Sequence, residues 1–533
     1  MDRGEFQPVA LVMAFLLVAG GWGTSGCGVG KLVGGGGGGG GGDDGDGIGD
    51  SGDDGGGDAG DTGDDGSGDG GPVVPPGVGD GPALARGDDF FGTPERFNRY
   101  YTDPDWVPLA TIYVSPDGGG NGSSADSPAS LQDAVGMLEP GTRVELAAGT
   151  YDQTCIELGD GQSGTYDQPI VLAGERAGDG SLAARLDCCG SGRATCLNLE
   201  ASNYIALDSL ELVGGRYGVR AVGADFAADR HQIGIAVLRS SGHDQSADPF
   251  FTGQSDWFVL EGTIAHDAGT DDGHGVYLSN GGDWQIVRDC EVYGNQSSDF
   301  QINADPTLTC DDVTTPECDA VAGETLTGGR GATDFALVER NYFHDGLAQG
   351  ANFTSVRYSL IRNNVFAVYE LHGVSFWQET DNPQLGSRGN RVLQNLFVTT
   401  NGRHALQFIN SSTDNTFAQN VLLGVSLDVV PLANPGALLL EVDDSVGGNT
   451  YTRNAYVGGA LDGREPGQGE LRETAIDPDW FVGFPIALQH AVDGFVPTAN
   501  APWAAAGEVL ADSPADMRGV ARSAPTALGP LSD

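Results

Sequence analysis

The sequence predicts an all-β solenoid, a parallel β-helix with an N-terminal capping helix, preceded by a disordered Gly/Asp-rich linker. Three observations point there. From Ile112 onward the chain is a succession of short Val-, Ile-, Leu- and Phe-rich segments bounded by Gly, Asn and Asp, the pattern of short strands between turns. A unit of apolar residues, a polar pair ending in Asn, and an aromatic or aliphatic residue recurs with Asn at 341, 364, 395, 420 and 454, in steps of 23, 31, 25 and 34. The 533 residues are 39% hydrophobic, enough for a sizeable core in one large or two ordinary domains. Unequal insertions on a short repeat fit a β-helix. Leucine-rich repeats, the competing solenoid, keep a fixed length and a Leu framework that are missing here.

Residues 1–27 read as an export signal. Val9 to Val18 form an apolar run of ten, too short for a spanning helix of about 20 residues and suited to a secretory core segment. Thr24-Ser25-Gly26-Cys27 resembles a bacterial lipobox, although Thr24 stands where Leu is usual and Arg3 is accompanied by Asp2 and Glu5. The expectation is a lipoprotein, lipidated on Cys27 and held at the outer membrane or cell surface. Plain secretion and a retained N-terminal anchor are the alternatives. Within the linker, taken as 28–82, residues 34–82 contain 25 Gly, 12 Asp and four Pro with no basic residue. Such a segment cannot offset its ordering entropy and is expected to be a disordered tether. A calcium-binding Asp-Gly repeat is the rival reading, without that repeat's fixed period.

From residue 83 onward 61 acidic residues face 24 basic ones, within a formal net charge of -49 for the chain. Nucleic acid is excluded as a partner, because neutralising phosphates takes clustered Lys and Arg. A monomer is expected.

After a lead-in over 83–110, the solenoid is expected over 111–460, with 461–533 as an extension that closes it. Ser127-Pro128 followed by Leu131, Ala134, Val135 and Leu138 predicts a capped helix ending at Pro140-Gly141. The Asn column is expected at turns, where Asn tolerates left-handed backbone and bonds main-chain groups. A second column runs through Tyr217-Gly218-Val219, His274-Gly275-Val276, Asp299-Phe300-Gln301, Ala351-Asn352-Phe353, His372-Gly373-Val374 and His404-Ala405-Leu406. Strand alternation sends Val276, Leu278, Val374 and Phe376 inward and leaves Arg220, Tyr277, Gln301, Asn352, Ser375 and Gln407 in one outward row. Such a row suits sugar binding.

These features together resemble the bacterial right-handed parallel β-helix repeat proteins, the pectate-lyase-like superfamily. The resemblance rests on Ile112-Tyr113-Val114-Ser115-Pro116-Asp117-Gly118, Ser130-Leu131-Gln132-Asp133-Ala134, Ala148-Gly149-Thr150-Tyr151 and Pro169-Ile170-Val171-Leu172, with Asp516-Met517-Arg518-Gly519 near the end. It implies the right-handed fold and polysaccharide as the partner, but no single reaction. In lyases of this fold a Lys or Arg often supplies the base and calcium the charge neutralisation. Here Lys31 is the only lysine, so the domain has no lysine base.

The richest polar stretch is His266 to Gly275, which includes Asp267, Asp271, Asp272 and His274. Candidate catalytic residues are His274, Asp272, Tyr277 and His372, as acids, bases or proton carriers. Candidate substrate-binding residues are Asp299, Gln301, Asn352, Trp377, His404 and Gln407. Calcium, the one cofactor considered, would fall to Asp271, Asp272 and Asp299. Each has a plainer reading: His274, His372 and His404 as stacked turn histidines, the paired Asp as loop-solvating residues, and Trp377 as core. Two functions therefore stand. One is a polysaccharide lyase or glycoside hydrolase; the other is a non-catalytic carbohydrate-binding or adhesion module.

Of the cysteines besides Cys27, Cys310 and Cys318 are expected to clip an insertion, and Cys155, Cys188, Cys189 and Cys196 to hold one or two more bridges of undetermined connectivity. Zinc is the rival, without Cys-x-x-Cys pairs. Cys290, at an Asn-column position, is expected to be a small buried residue.

Overall fold

The computed structural model describes residues 97–532 except 189–193, 225–229, 270–272, 307–330, 368, 370, 381, 401–402, 427–431, 444 and 484–491. The leader with Cys27, the linker, the metal candidates Asp271 and Asp272, and the Cys310–Cys318 pair lie outside the described residues, as does Cys189.

Three long parallel sheets carry the fold. The chain visits sheet 1, then sheet 2, then sheet 3 and repeats, so strands adjacent in a sheet come from successive turns. Sheet 1 has 12 strands from Ala110–Val114 to Thr450–Thr452, and sheet 3 has 11 from Ile156–Glu157 to Ala460–Asp462. Sheet 2 has 13, from Gly149–Thr154 to Leu471–Glu473, including one antiparallel addition, Leu432–Ala433. The chain is a parallel β-helix. Parallel crossovers of this kind coil right-handedly, the sense that the resemblance implies.

The expected helix forms over Leu131–Val135, but its N-cap is Ser130, whose side chain accepts from the Asp133 amide, and not Ser127. Leu131, Ala134, Val135 and Leu138 are buried over the first rungs.

The core is a rod of aligned side chains. Val276, Phe300, Ala351, Val374 and Leu406 are in register on one inward row of sheet 3, and Leu278, Ile302, Phe353, Phe376 and Phe408 on the next. Phe353, Phe376 and Phe408 stack at centroid spacings of 4.7 and 5.1 Å. Phe343, Phe366 and Phe397 do so from sheet 2 at 4.9 and 5.2 Å. Rings piled in parallel fill a rod whose cross-section repeats, so each residue is packed by its equivalents above and below.

The Asn column forms a buried ladder. Asn364 Nδ2 donates to Val338 O and to Asn395 Oδ1, and Asn395 Nδ2 repeats this with Ile361 O and Asn420 Oδ1. The backbone N–H of Asn341, Asn364, Asn395 and Asn420 each donates to the Oδ1 of the next Asn. Cys290, buried and free, heads the column by donating its N–H to Asn341 Oδ1. The left-handed backbone is not at the Asn itself but one residue earlier, at Asp289, Arg340, Asn363, Gln394, Gln419 and Arg453. That residue makes the corner, and the following Asn satisfies main-chain groups that the corner leaves without strand partners. A second ladder, at Asn390, Asn415 and Asn449 between sheets 3 and 1, repeats the device.

Among the described residues, two of the three outer faces are covered. Phe97 and Tyr101 of the lead-in pack on sheet 1 beside Ala206, Ala236 and Trp257, anchored by Asn98 Nδ2 on Gly234 O. The C-terminal extension lies along sheet 2, placing Phe481, Phe495, Trp503, Leu528 and Leu531 against Tyr342, Val365, Leu396, Val421 and Ala455. It therefore runs back over the flank of earlier turns. Corner residues hold it: Asn363 Nδ2 donates to Ser513 Oγ, Arg522 to Asn363 Oδ1, and the Glu508 amide to Gln419 Oε1. One bridge of the first cysteine group is Cys188–Cys196, and Cys155 is also disulfide-bonded.

Asn395→Ala removes two donated and two accepted hydrogen bonds from the middle of the ladder and leaves buried main-chain groups bare. It is expected to lower stability by about 3 kcal/mol, read as a shifted urea midpoint with an unchanged transition slope.

Candidate functional site

On the outward side of sheet 3 most polar side chains are half-exposed, with Ser375 buried among them. Its central row is Asn198, Arg220, Phe251, Tyr277, Gln301, Asn352, Ser375, Gln407 and Glu441, each opposite the next in register. The outward row expected from alternation is therefore in place, with Asn198, Phe251 and Glu441 as members that the sequence reading did not include. Asn352 Nδ2 donates to Gln301 Oε1 at 3.2 Å, and Gln407 Nε2 to Glu441 Oε2 at 2.8 Å.

Two polar centres lie on this row. The first surrounds Tyr277, whose pKa burial pushes up, keeping its hydroxyl a proton donor. Two residues along the same strands, Ser279 is paired with Asn303. Ser279 Oγ donates to Asp305 Oδ2 at 2.7 Å. Asn303 holds the Asp305 main chain and the Glu379 carboxylate, its Oδ1 accepting from the Asp305 backbone amide at 2.9 Å and its Nδ2 donating to Glu379 Oε1 at 3.0 Å. Burial first, and then the Glu379 charge, raise the Asp305 carboxyl to about 6. Glu379 itself is exposed. On the other side of Tyr277, the His274 ring lies 4.7 Å away by centroids, with Nδ1 3.1 Å from Asp248 Oδ1.

The second centre lies three rungs further on, about 14 Å at the roughly 4.8 Å spacing of strands. His372 and His404 adjoin there, with Nδ1 to Nδ1 at 3.3 Å. His404 Nε2 is 2.9 Å from Ser375 Oγ, and Arg403 donates to His372 Nε2 at 3.2 Å. Burial, then His372 and Arg403, lower His404 to about 3, and burial with Arg403 lowers His372. Both imidazoles are neutral near pH 7.

The candidate residues thus separate. His274 and Tyr277 share the first centre; His372, His404 and Gln407 belong to the second, so His274 and His372 do not form one catalytic set. Gln301 and Asn352 connect the two. Trp377 faces outward in register with Thr354 and is half-buried, a platform position rather than a core one. Asp299 lies away from the half-exposed row: it is fully buried and accepts from Asn295 Nδ2 at 2.8 Å, and burial raises its pKa well above the usual carboxylate value. Among the described residues no group of three or more His, Cys, Asp or Glu is placed to hold a metal ion.

The stretch His266 to Gly275 is also divided, because a corner passes through it. His266 stands on sheet 2 in a stacked column, His243, His266, Tyr293 and His344, at centroid spacings of 4.7 to 5.0 Å. Asp244, Asp267 and Asp345 each face the neighbouring ring's Nδ1. Asp248, Ser279, Asn303, Asp305 and Glu379 were not among the sequence candidates. Continuing the outward row two residues along each strand would have exposed Ser279 and Asn303; Asp305 and Glu379 lie in loops and carried no periodic signal.

No protein-family profile and no curated protein matches the sequence. Solved structures similar in fold include the pectate lyase Pel9A, at 14% identity with a TM-score of 0.42, covering 80% of this chain and 97% of that one. The A-module of the Azotobacter vinelandii mannuronan C-5 epimerase AlgE6 is 14% identical with a TM-score of 0.40, covering 64% of this chain and 91% of its own. The lacto-N-biosidase from Eubacterium ramulus is 12% identical with a TM-score of 0.37, covering 68% and 66%.

Asp305 is expected to leave a pH signature. Its folded pKa, about 6, stands above the unfolded value of about 3.9. Its contribution is complete below pH ~4 and is lost as pH rises through about 6. Asp305→Asn should therefore unfold at higher urea relative to wild type at pH 8 than at pH 4, in paired titrations.

Proposed function

We propose that the outward face of sheet 3 binds a polysaccharide along the solenoid axis and that the first centre cleaves it by hydrolysis. The observation that supports this most is Asp305, a carboxyl protonated up to about pH 6, near a second, exposed carboxylate, Glu379, that Asn303 holds. Two carboxyl groups in unlike environments are the acid/base arrangement of glycoside hydrolysis. Asp305 would protonate the departing glycosidic oxygen, and Glu379 would assist the attack on the opposite side of the sugar. Tyr277, Gln301 and Asn352 offer hydroxyl and carboxamide groups to sugar hydroxyls, and Trp377 a ring to a sugar face. Lyase chemistry is less well supported, since it needs a base at the sugar ring and neutralisation of a uronate. The face carries no lysine, and Arg220 is already bonded to Asn198 and Glu200.

The leader pattern extends the proposal to an exported protein, tethered through lipidated Cys27 and the Gly/Asp linker. Its support is the sequence alone.

Incubation of the protein with neutral and acidic glycans, with and without calcium, tests the reading. New reducing ends without an unsaturated, ultraviolet-absorbing product are expected. Asp305→Asn should reduce turnover by about 100-fold or more, and wild-type kcat/KM should fall as pH rises above about 6. Binding with no turnover on any glycan would overturn hydrolysis and leave the non-catalytic module.

A further inference from the structure

The second centre holds a hydroxyl, an imidazole and a carboxylate on three successive rungs. Ser375 Oγ is 2.9 Å from His404 Nε2, and His404 Nδ1 is 3.5 Å from Glu441 Oε2. Gln407 fixes the carboxylate by donating to the same Oε2 at 2.8 Å. In the outward row Ser375 sits between Asn352 and Gln407, so a carboxamide lies on either side of its hydroxyl. Nucleophile, base and orienting acid are parts of an acyl-transfer site.

We propose that Ser375, His404 and Glu441 form a second hydrolytic centre, specific for carboxylic esters, whose natural substrates are O-acyl groups on a glycan lying in the same groove. The glycan rests on the reading above; the ester chemistry does not. With the His404 proton on Nδ1 toward Glu441, Nε2 takes the Ser375 proton as Oγ bonds to the ester carbonyl carbon. The carbonyl oxygen gains the negative charge. Collapse breaks the bond to the alcohol, which leaves with the proton from Nε2. Water then repeats the sequence on the acyl-serine, releasing the carboxylic acid and returning the proton to Oγ.

The same residues contain a brake. An arginine can only donate, so Arg403 on His372 Nε2 forces the His372 proton to Nδ1, where it points at His404 Nδ1. His404 must then carry its proton on Nε2, directed at Ser375, and the serine gives its own proton to Gln407 Oε1 at 3.2 Å. In that tautomer the hydroxyl is not activated. Arg403 acts as a positioning residue through His372, and opposes Glu441.

The test uses a sugar-free fluorophosphonate probe and a small aryl acetate, so its outcome is independent of whether the glycan is cleaved. Wild-type protein should acquire one adduct, mapped by peptide mass to Ser375, and should hydrolyse the acetate. Ser375→Ala should acquire none, while still unfolding in a single cooperative thermal transition. His404→Gln should react about 100-fold more slowly. Arg403→Ala should react several-fold faster, with its rate rising at a lower pH than that of a merely exposed serine, because the base is an imidazole held neutral. No Ser375 adduct in either wild type or Arg403→Ala, or labelling indifferent to His404→Gln, would overturn the proposal.

Discussion

A chain that turns three corners on every rung must satisfy the main-chain groups at those corners without help from a neighbouring strand, and it must do so in the dry interior. The asparagine columns meet this requirement. Each carboxamide accepts from the amide of the residue before it in the ladder and donates to a carbonyl and to the next carboxamide, so one rung completes another. An unpaired buried amide costs more than a formed bond returns. The ladders therefore fix the angular register of the rungs as well as their spacing. All of the surface chemistry depends on that register, because a polar row exists only where successive strands present the same side at the same place.

Coverage decides which row is available. The lead-in and the C-terminal extension bury apolar outer surfaces of sheets 1 and 2, and the polar outer surface of sheet 3 stays half-exposed. Along that surface the groups change in kind, from aromatic and carboxyl at Phe251, Tyr277 and Asp305, through carboxamides at Gln301 and Asn352, to imidazole and hydroxyl at His404 and Ser375. A linear polymer suits such a surface, since successive units meet different groups at fixed intervals. The net negative charge of the domain, the commitment of Arg220 and Arg403 to internal partners, and the neutrality of His372 and His404 all favour a substrate that is not strongly anionic.

What could be read from the sequence was whatever repeats. The Asn spacing gave the solenoid, and period-two alternation placed Arg220, Tyr277, Gln301, Asn352, Ser375 and Gln407 on one line. Val276, Phe353, Phe376 and Phe408 were legible as core for the same reason. What could not be read was whatever depends on a single turn or on contacts between distant rungs. Asp305 acquires its character from Ser279 and from Glu379, which Asn303 reaches across 76 residues of chain. Asp299 looked like a surface acid in a polar stretch, yet its strand start lies inside the corner. The left-handed residue was also displaced by one from the Asn, because Asn serves here as a hydrogen-bonding residue and the backbone bend falls on its predecessor, whatever its type.

The C-terminal extension has a mechanical meaning. A bare solenoid is held by nearest-neighbour contacts alone and can fray from its end one rung at a time. Here the terminal strands cannot detach while the chain beyond them remains fastened to Asn363 and Tyr342, several rungs back. Peeling the last turn means breaking a strap anchored mid-molecule, so the second half of the rod should resist pulling as one block and yield abruptly, like a coil bound lengthwise with its own loose end.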